Sequence, residues 1–230
     1  HDLQEPLRKI RAFGDRLKTN YAQLLDTTGA DYINRMGNAA ERMSNLINDL
    51  LEFSRISTRG KPFTDVPLQA VVEGIVDDLE VSIEESGAKI MLESLPVINA
   101  DPSQMHHLFI NLISNAIKFR KPDIKPIVKI QYFQENISME PLHIITIRDN
   151  GIGFEQEFED KIFIPFQRLH ARTDYTGTGI GLAICRRIVE RHGGNISATS
   201  ELGIGTLFRI EIPVDNALIN TIGDNLNALQ

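Results

Sequence analysis

A strand-like apolar run, His143 to Ile147, is followed closely by an aspartate and two glycines in the stretch Asp149-Asn-Gly151-Ile-Gly153-Phe. Glycine lacks a Cβ, so the backbone can pass close to a bound group and turn through positive φ. An aspartate at a strand end can accept hydrogen bonds from an exocyclic amine. This arrangement favours a fold whose strand ends at a pocket for a purine base, although a single glycine motif is also typical of an ordinary turn.

A second glycine stretch, Gly177-Thr178-Gly179-Ile-Gly181-Leu182, opens a helix-like segment that extends to His192. The free N–H groups and the positive dipole end of a helix N-terminus favour phosphate. An ordinary turn is again the alternative for this stretch alone. Two such stretches in order, downstream of an Asn-rich helix, favour a nucleotide site.

Apolar residues of the N-terminal region recur at steps of four and three, the spacing of a helix seam. They predict two helices joined at Asp26 to Gly29. The seam residues are Leu3, Leu7, Ile10, Gly14, Leu17, Tyr21 and Leu24, then Ile33, Met36, Ala40, Met43, Ile47, Leu50 and Ser54. Two helices bury too little apolar surface to stand alone, so we expect a homodimer that forms a four-helix bundle. The alternative is a hairpin packed on the chain's own second domain.

The segment Ser57 to Pro62 breaks this period and predicts a linker. We therefore expect a helical domain over residues 1–58, a second domain over residues 63–213, and a tail over residues 214–230 that is a linker or a docking helix.

In the second domain, period and turn signals predict an α+β sandwich with a mixed or antiparallel sheet under a layer of helices. The expected strands are Phe63–Leu68, Ala88–Glu93, Ile127–Phe133, Leu142–Ile147, Asn195–Ser200 and Leu207–Ile212, and the expected helices are Gln69–Glu85, Pro102–Lys118 and Gly181–His192. Asp101 is the expected N-cap of the second of these helices, with Pro102 at its first position.

Asn111 and Asn115 lie four residues apart on this helix, and Lys118 lies a further turn along the same face. Amide oxygens, phosphate oxygens and water suit the octahedral shell of Mg²⁺, and an ammonium group offsets phosphate charge. The alternative is an exposed pair of asparagines without a ligand.

The net charge is −7 and the pI is about 5.4, so no overall basic field is present to hold nucleic acid. The single cysteine, Cys185, excludes an internal disulfide and is expected to be a buried thiol of a reducing compartment. No apolar run is long enough to span a membrane and no secretory signal is present, so we expect a soluble, cytoplasmic chain. Because it begins with His, we expect it to be the C-terminal part of a longer protein.

Five ordered motifs resemble the signatures of two-component sensor histidine kinases, and the resemblance extends from His1 to about Pro213. The motifs are His1-Asp-Leu-Gln-Glu-Pro-Leu-Arg8, Asn111-Leu-Ile-Ser-Asn115-Ala-Ile-Lys118-Phe119, Asp149-Asn-Gly151-Ile-Gly153, Phe163-Ile-Pro-Phe166 and Gly177-Thr-Gly179-Ile-Gly181-Leu. The first is similar to the form found in phytochrome-like kinases.

This resemblance implies a dimerisation and phosphoacceptor hairpin joined to a Bergerat-type ATP-binding domain, with a lid between the two glycine stretches. It also implies ATP and Mg²⁺ as ligands, a response-regulator receiver domain as partner, and an upstream sensory domain that this chain does not contain.

The resemblance further implies residue roles. His1 is the expected nucleophile, and Asp2 accepts or orients its ring proton. Glu5 lies on the His1 face of the helix, whereas Asp2 does not, so Glu5 is a rival partner of the imidazole. Many members have Thr or Asn at the position of Glu5, where it positions water for dephosphorylation, so the resemblance does not extend to phosphatase activity.

In the nucleotide domain, the resemblance assigns Mg²⁺ to Asn115 with support from Asn111, and the adenine amino group to Asp149. Phosphates would be contacted by Lys118 and by the lid arginine, Arg168, for which a solvated charge is the alternative. The expected nucleotide-binding residues also include Gly151, Gly153, Gly177, Thr178, Gly179, Gly181 and Leu182. The segment Gly203–Thr206 is either a third glycine element or a hairpin turn.

The remaining histidines lack the spacing of metal ligands and are expected on the surface or in packing: His106, His107, His143, His170 and His192.

Two other functions are compatible with the same nucleotide fold. An ATP-hydrolysing clamp, as in type II topoisomerases or chaperones, would need a Glu where this chain has Asn111, which supplies no carboxylate base. A non-catalytic dimeric scaffold would need no nucleotide, so an assay of nucleotide binding distinguishes it from a kinase.

Overall fold

The computed structural model describes residues 4–58, 61–135, 141–169 and 177–214. Its elements, in chain order, are α1 Gln4–Asn20, α2 Thr27–Thr58, β1 Thr64–Pro67, α3 Leu68–Asp78, α4 Glu80–Ser86, β2 Lys89–Leu92, β3 Val97–Ala100, α5 Pro102–Lys118, β4 Ile127–Glu135, β5 Leu142–Asp149, a 3₁₀ turn Gln156–Phe158, α6 Glu159–Ile162, α7 Gly181–Arg191, β6 Asn195–Glu201 and β7 Gly205–Pro213.

The N-terminal region is a helical hairpin in which α1 packs along α2. Leu7, Ile33 and Ala40 are its buried seam residues, and Gly14 is also buried where Ile33 crosses α1. Helix α1 ends at Asn20, four residues before the predicted end, and the chain turns there. The hairpin prediction is confirmed.

The remainder of the described chain is an α/β sandwich. Its sheet has the order β2-β4-β5-β7-β6, with β2 parallel to β4 and the other neighbours antiparallel. Helices α5 and α7 pack on the sheet and on each other, and α3 packs against α5. The core between the layers includes Phe109, Leu112, Ile145 and Ile147, all fully buried. The predicted mixed sheet under helices is confirmed.

Helix α5 illustrates how local sequence sets an element boundary. Asp101 caps it by accepting hydrogen bonds from the N–H groups of Ser103 and Gln104 at 3.0 and 3.3 Å, and Pro102 occupies the first turn. These features satisfy N–H groups that lack a partner within the helix. The helix spans the predicted residues, and its C-terminal half forms one wall of the site described below.

Two predicted elements differ from the structure. The single helix expected over Gln69–Glu85 is two helices, because the backbone of Leu79 (φ −96°, ψ 7°) is not helical. The strand β3 was not predicted, and it pairs antiparallel with β1 in a separate two-stranded ladder.

Helix α2 also contacts the sandwich, chiefly through α7. Its residue Ile56 is 3% exposed and belongs to the apolar core of the sandwich. Beyond α2, the backbone of Lys61 is held by Asp101 and Arg191: its N–H donates to Asp101 Oδ2 at 2.7 Å, and its carbonyl accepts from Arg191 Nη2 at 2.8 Å.

Among the helices of the described residues, none combines the length and the apolar character that crossing a membrane requires.

Candidate nucleotide-binding site

A cleft of about 410 Å³ opens beside α5, at the end of β5. It is bordered by the segments that contain both glycine stretches and by one residue of α2. The lining residues are Asp49, Asn111, Ser114, Asn115, Ala116, Lys118, Phe119, Asp149, Ile152, Gly153, Phe154, Ile162, Gln167, Arg168, Leu169, Gly177, Thr178, Gly179, Gly181, Leu182, Thr206 and Phe208. The fold thus brings together almost all of the predicted nucleotide-binding residues, which come from distant parts of the chain.

Asn111 is oriented by its own helix. Its Nδ2 donates to the carbonyl of His107 at 2.8 Å, so its Oδ1 is directed toward the start of α7. A Cβ on Gly181 would lie 2.6 Å from that oxygen. Position 181 therefore requires glycine so that α7 can begin close to α5. Asn111 and Asn115 both line the cleft.

Lys118 and Arg168 place two cationic groups beside the second glycine stretch. Arg168 Nη1 donates to the carbonyl of Gly177 at 2.8 Å, and a Cβ on Gly177 would lie 2.9 Å from Lys118 Nζ. Burial, and secondarily the charge of Arg168, lowers the pKa of Lys118. Both effects oppose the charged form of the lysine, and a bound anion would relieve them. This end of the cleft is suited to phosphate.

Asp149 is the last residue of β5 and also lines the cleft. Its Oδ1 accepts hydrogen bonds from the N–H groups of Gly151 at 2.8 Å and Thr206 at 3.1 Å. Burial raises the pKa of this carboxyl group, although those two hydrogen bonds and the charge of Lys121 act in the opposite direction. Within the described residues, the hydrogen bonds to this side chain fall on Oδ1, which leaves Oδ2 for an amine of a ligand.

The first glycine stretch is held by the β6–β7 hairpin. Gly153 has φ +62°, and a Cβ there would lie 2.0 Å from the carbonyl oxygen of Glu201. Gly203–Thr206, for which two alternatives were open, forms the turn and first residues of this hairpin, and Thr206 contacts Asp149. Gly151 is not among the residues that line the cleft, and its N–H donates a hydrogen bond to Asp149 Oδ1.

Several lining residues were not predicted from the sequence. Phe154, Ile162, Leu169 and Phe208 give the cleft apolar walls, which suits a planar base. From the sequence these residues are recognised only as apolar, and their periodicity does not show whether they face the core or a ligand. Asp49 was also missed, because its place in the cleft depends on how α2 packs against the sandwich.

The predicted phosphoacceptor residues His1 and Asp2 lie outside the described residues. Glu5 is not in the cleft. It is exposed on α1 and forms an ion pair with Lys9 at 2.8 Å.

The other histidines serve packing or lie at the surface. His192 is fully buried, stacks on Phe63 at 4.4 Å, and accepts a hydrogen bond from the N–H of Asp101 on Nε2 at 3.1 Å. His143 is buried beside Tyr132. On α5, the side chain of His106 is 41% exposed and its Nε2 lies 3.4 Å from Asp78 Oδ2, and His107 is partly buried. His170 lies outside the described residues.

Cys185 is fully buried, as predicted, and burial raises the pKa of its thiol.

Two family models match the chain. Residues 100–216 match the histidine kinase-, DNA gyrase B-, and HSP90-like ATPase family. Residues 1–59 match the His Kinase A (phospho-acceptor) domain. The chain therefore belongs to the family of histidine kinase-, DNA gyrase B- and HSP90-like ATPases. The phosphoacceptor model matches as well, so the chain combines the two domains of a sensor histidine kinase, and its curated relatives point to the phytochrome-like subgroup.

Phytochrome-like protein Cph1 of Synechocystis sp. is 39% identical over 216 residues, which cover 94% of this chain and 28% of that protein. Cyanobacterial phytochrome A of Nostoc sp. is 39% identical over 214 residues, which cover 93% of this chain and 27% of that protein. The chain thus spans less than a third of the length of these relatives.

Solved histidine kinases share the fold. Full-length ShkA in complex with AMPPNP superposes with a TM-score of 0.69 at 24% identity, covering 93% of this chain and 44% of ShkA. ThkA in complex with the response regulator TrrA superposes with a TM-score of 0.64 at 26% identity, covering 94% of this chain and 60% of that one.

Proposed function

We propose that this chain is a kinase core that transfers the γ-phosphate of ATP to its own His1 and then to an aspartate of a response regulator. The cleft carries the proposal, since its lining combines a carboxylate that can accept a hydrogen bond from adenine with a glycine loop flanked by two cations that suit phosphate. Residues 1–58 would form the dimerisation and phosphoacceptor domain and residues 63–213 the catalytic domain. Residues 215–230 of the proposed tail lie outside the described residues.

Asp149 would accept a hydrogen bond from the adenine amino group on Oδ2, while the N–H groups of Gly151 and Thr206 hold Oδ1. Phe154 and Phe208 would exclude water from the base. Lys118 and Arg168 would hold the phosphates, together with Thr178 and the N–H groups of the second glycine stretch. Positions 177, 179 and 181 would let that backbone approach the phosphates, and Leu182 would line the cleft beside them.

The residues present fit a Mg²⁺–nucleotide complex rather than a metal cage built by the protein. Within the described part of the chain, no three His, Cys, Asp or Glu side chains are grouped to hold a metal. Asn115 offers one amide oxygen, and phosphate oxygens and water would complete the shell. The ion, when bound, offsets phosphate charge. Asn111 would support Asn115 by holding α7 in place.

The neutral imidazole of His1 would attack the γ-phosphorus, and the bond from that phosphorus to the bridging oxygen would break as ADP leaves. Asp2 or Glu5 would take the ring proton or fix the ring tautomer. A Glu5 that serves this role would exchange its ion pair with Lys9 for one with the imidazole.

The proposed dimer follows from the hairpin. Several seam residues stay exposed in the single chain: Ile10 at 43%, Leu17 at 40%, Met36 at 49%, Met43 at 54% and Leu50 at 51%. A second hairpin would cover them in a four-helix bundle.

The receiver domain of a response regulator, the partner of ThkA in its solved complex, would dock on this hairpin near His1. An upstream sensory domain would control the kinase core. The core would be located in the cytoplasm, where ATP is available.

The test is incubation with γ-labelled ATP and Mg²⁺, scored for label that is stable to base and labile to acid. His1→Gln should abolish the label because the nucleophile is gone. Asn115→Ala should reduce it at least about a hundredfold, since the metal loses its protein ligand. His106→Gln, at an exposed position on the same helix as Asn115, is the control and should retain full label. Persistent label in His1→Gln would contradict the assignment of the phosphoacceptor.

A hydrolytic clamp would instead release inorganic phosphate without labelling the protein. At position 111 this chain has an amide that is hydrogen-bonded to its own helix, so no carboxylate base is available there. We therefore expect little phosphate release in the same assay.

A further inference from the structure

The helical hairpin contributes one described residue, Asp49, to the wall of the nucleotide cleft. Thr178, in the second glycine stretch, donates a hydrogen bond from its hydroxyl to Asp49 Oδ2 at 2.5 Å. The same hydroxyl accepts a hydrogen bond from the N–H of Ile180 at 3.4 Å. The glycine loop is thereby tied to α2 from within the cleft.

This contact lies between two other contacts of α2. Toward the C-terminus of α2, Ile56 is buried in the sandwich core, and α2 packs along α7. Next to Asp49, the side chain of Asn48 accepts a hydrogen bond from Gln4, near the phosphoacceptor end of α1. Two consecutive residues of α2 therefore contact the start of α1 and the glycine loop.

The negative charge of Asp49 disfavours the binding of a phosphate group at this loop. Arg168 and Lys118 adjoin Gly177, one residue before Thr178, and favour an anion there. A carboxylate in the same cleft repels a phosphate that approaches these cations, and the two anions compete for the Thr178 hydroxyl. Occupation of the phosphate end of the cleft and the Asp49–Thr178 hydrogen bond oppose each other.

We propose that Asp49 is a positioning residue that holds the glycine loop, and with it the catalytic domain, against α2 until a nucleoside triphosphate displaces it from Thr178. This inference rests on the proposed nucleotide function of the cleft. Nucleotide binding then weakens the docking of the catalytic domain on α2. By reciprocity, docking lowers the affinity for nucleotide by the same factor.

The first test compares the affinity for Mg²⁺–AMPPNP in the wild type, Asp49→Asn and Asp31→Asn by calorimetry. Asp49→Asn keeps the size of the side chain and removes its charge, so it should bind about three to ten times more tightly. The gain should shrink at about 1 M salt because screening weakens the repulsion. Asp31→Asn makes the same charge change on the same helix, at a side chain that pairs with Arg35, and should match the wild type.

A double-mutant cycle tests whether Asp49 acts through Thr178. In a Thr178→Val background, which itself lowers affinity, the gain from Asp49→Asn should fall to less than about half of its wild-type size, because only the direct charge repulsion remains. A gain as large as in the wild-type background would show that the effect is general electrostatics and would overturn the proposed latch.

Hydrogen exchange gives a readout independent of affinity. Adding Mg²⁺–AMPPNP to the wild type should raise amide exchange in residues 45–56 of α2, and Asp49→Ala should show raised exchange without nucleotide. Equal or weaker nucleotide binding by Asp49→Asn, or nucleotide-induced protection of α2, would overturn the inference while the nucleotide function stands. Absence of nucleotide binding by the wild type would contradict the proposed function itself.

Discussion

The α/β sandwich buries Phe109, Leu112 and Ile145 completely, whereas on the hairpin Met43 and Leu50 stay 54% and 51% exposed. Both regions carry regular apolar patterns, so the difference does not come from composition. The sandwich has two layers that cover each other within one chain. The hairpin has a seam that α1 and α2 cover only in part, and the remaining apolar surface is available to a second hairpin.

The largest expected effect comes from truncating the same residue type in each region. Leu112→Ala should lower the free energy of unfolding by about 2–5 kcal/mol, because a fully buried leucine leaves a cavity in the sandwich. Leu17→Ala, at a side chain that is 40% exposed, should cost less than about 1 kcal/mol in dilute protein. Urea unfolding followed by circular dichroism measures both.

The Leu17 variant should lose more stability, relative to the wild type, as protein concentration rises, because the wild-type dimer then gains more from association. Equal costs for the two variants at every concentration would contradict the contrast between a complete core and an incomplete one.

The next largest expected effect is a pH dependence of stability that arises in the sandwich. Burial lowers the pKa of His192 from 6.5 to about 4. Below pH 6.5 the unfolded chain binds a proton that the native histidine does not, so stability is highest above that pH and falls by about 3 kcal/mol by pH 4. Asp101 acts in the same direction: burial raises its pKa, but hydrogen bonds from Ser103, Lys61, Gln104 and Arg191 together lower it.

Unfolding of the wild type and His192→Gln between pH 7 and pH 4 measures this effect. The variant should be less stable at pH 7, because its packing on Phe63 is lost, and should depend less steeply on pH. His106→Gln, at an exposed ring, should keep the wild-type slope. An unchanged slope in His192→Gln would show that other groups govern the acid sensitivity.

The smallest expected effect is a gain in the stability of the hairpin. A Cβ on Gly14 would meet Ile33 Cγ2 at 3.6 Å, an ordinary contact, so Gly14→Ala should stabilise α1 by about 0.5–1 kcal/mol. Gly153→Ala should have the opposite sign, because its Cβ would lie 2.0 Å from a backbone oxygen at φ +62°. Thermal unfolding of the two variants compares them, and a loss of stability in Gly14→Ala would mean that the hairpin tolerates no added methyl group.

Much of this architecture follows from local sequence. The cap at Asp101, the bounds of α5, the strands β4 and β5, and the helical hairpin were all predicted, because each depends on neighbours in the chain. The strand β3 was missed because its four residues pair with β1 across 30 to 36 positions and carry little pattern of their own. The break at Leu79 was missed because apolar spacing continues through it.

In the candidate site, too, some residues could be predicted from local sequence and others only from contacts between distant parts of the chain. The sequence by itself determined the two glycine stretches, the asparagines of α5 and the cations beside them, since their residue types and spacing already point to a nucleotide. Only the tertiary structure decided that Thr206 holds Asp149 and that Asp49 enters the cleft. These contacts join residues up to 129 positions apart, and no periodicity along a chain records which distant backbone or side chain will pack beside another.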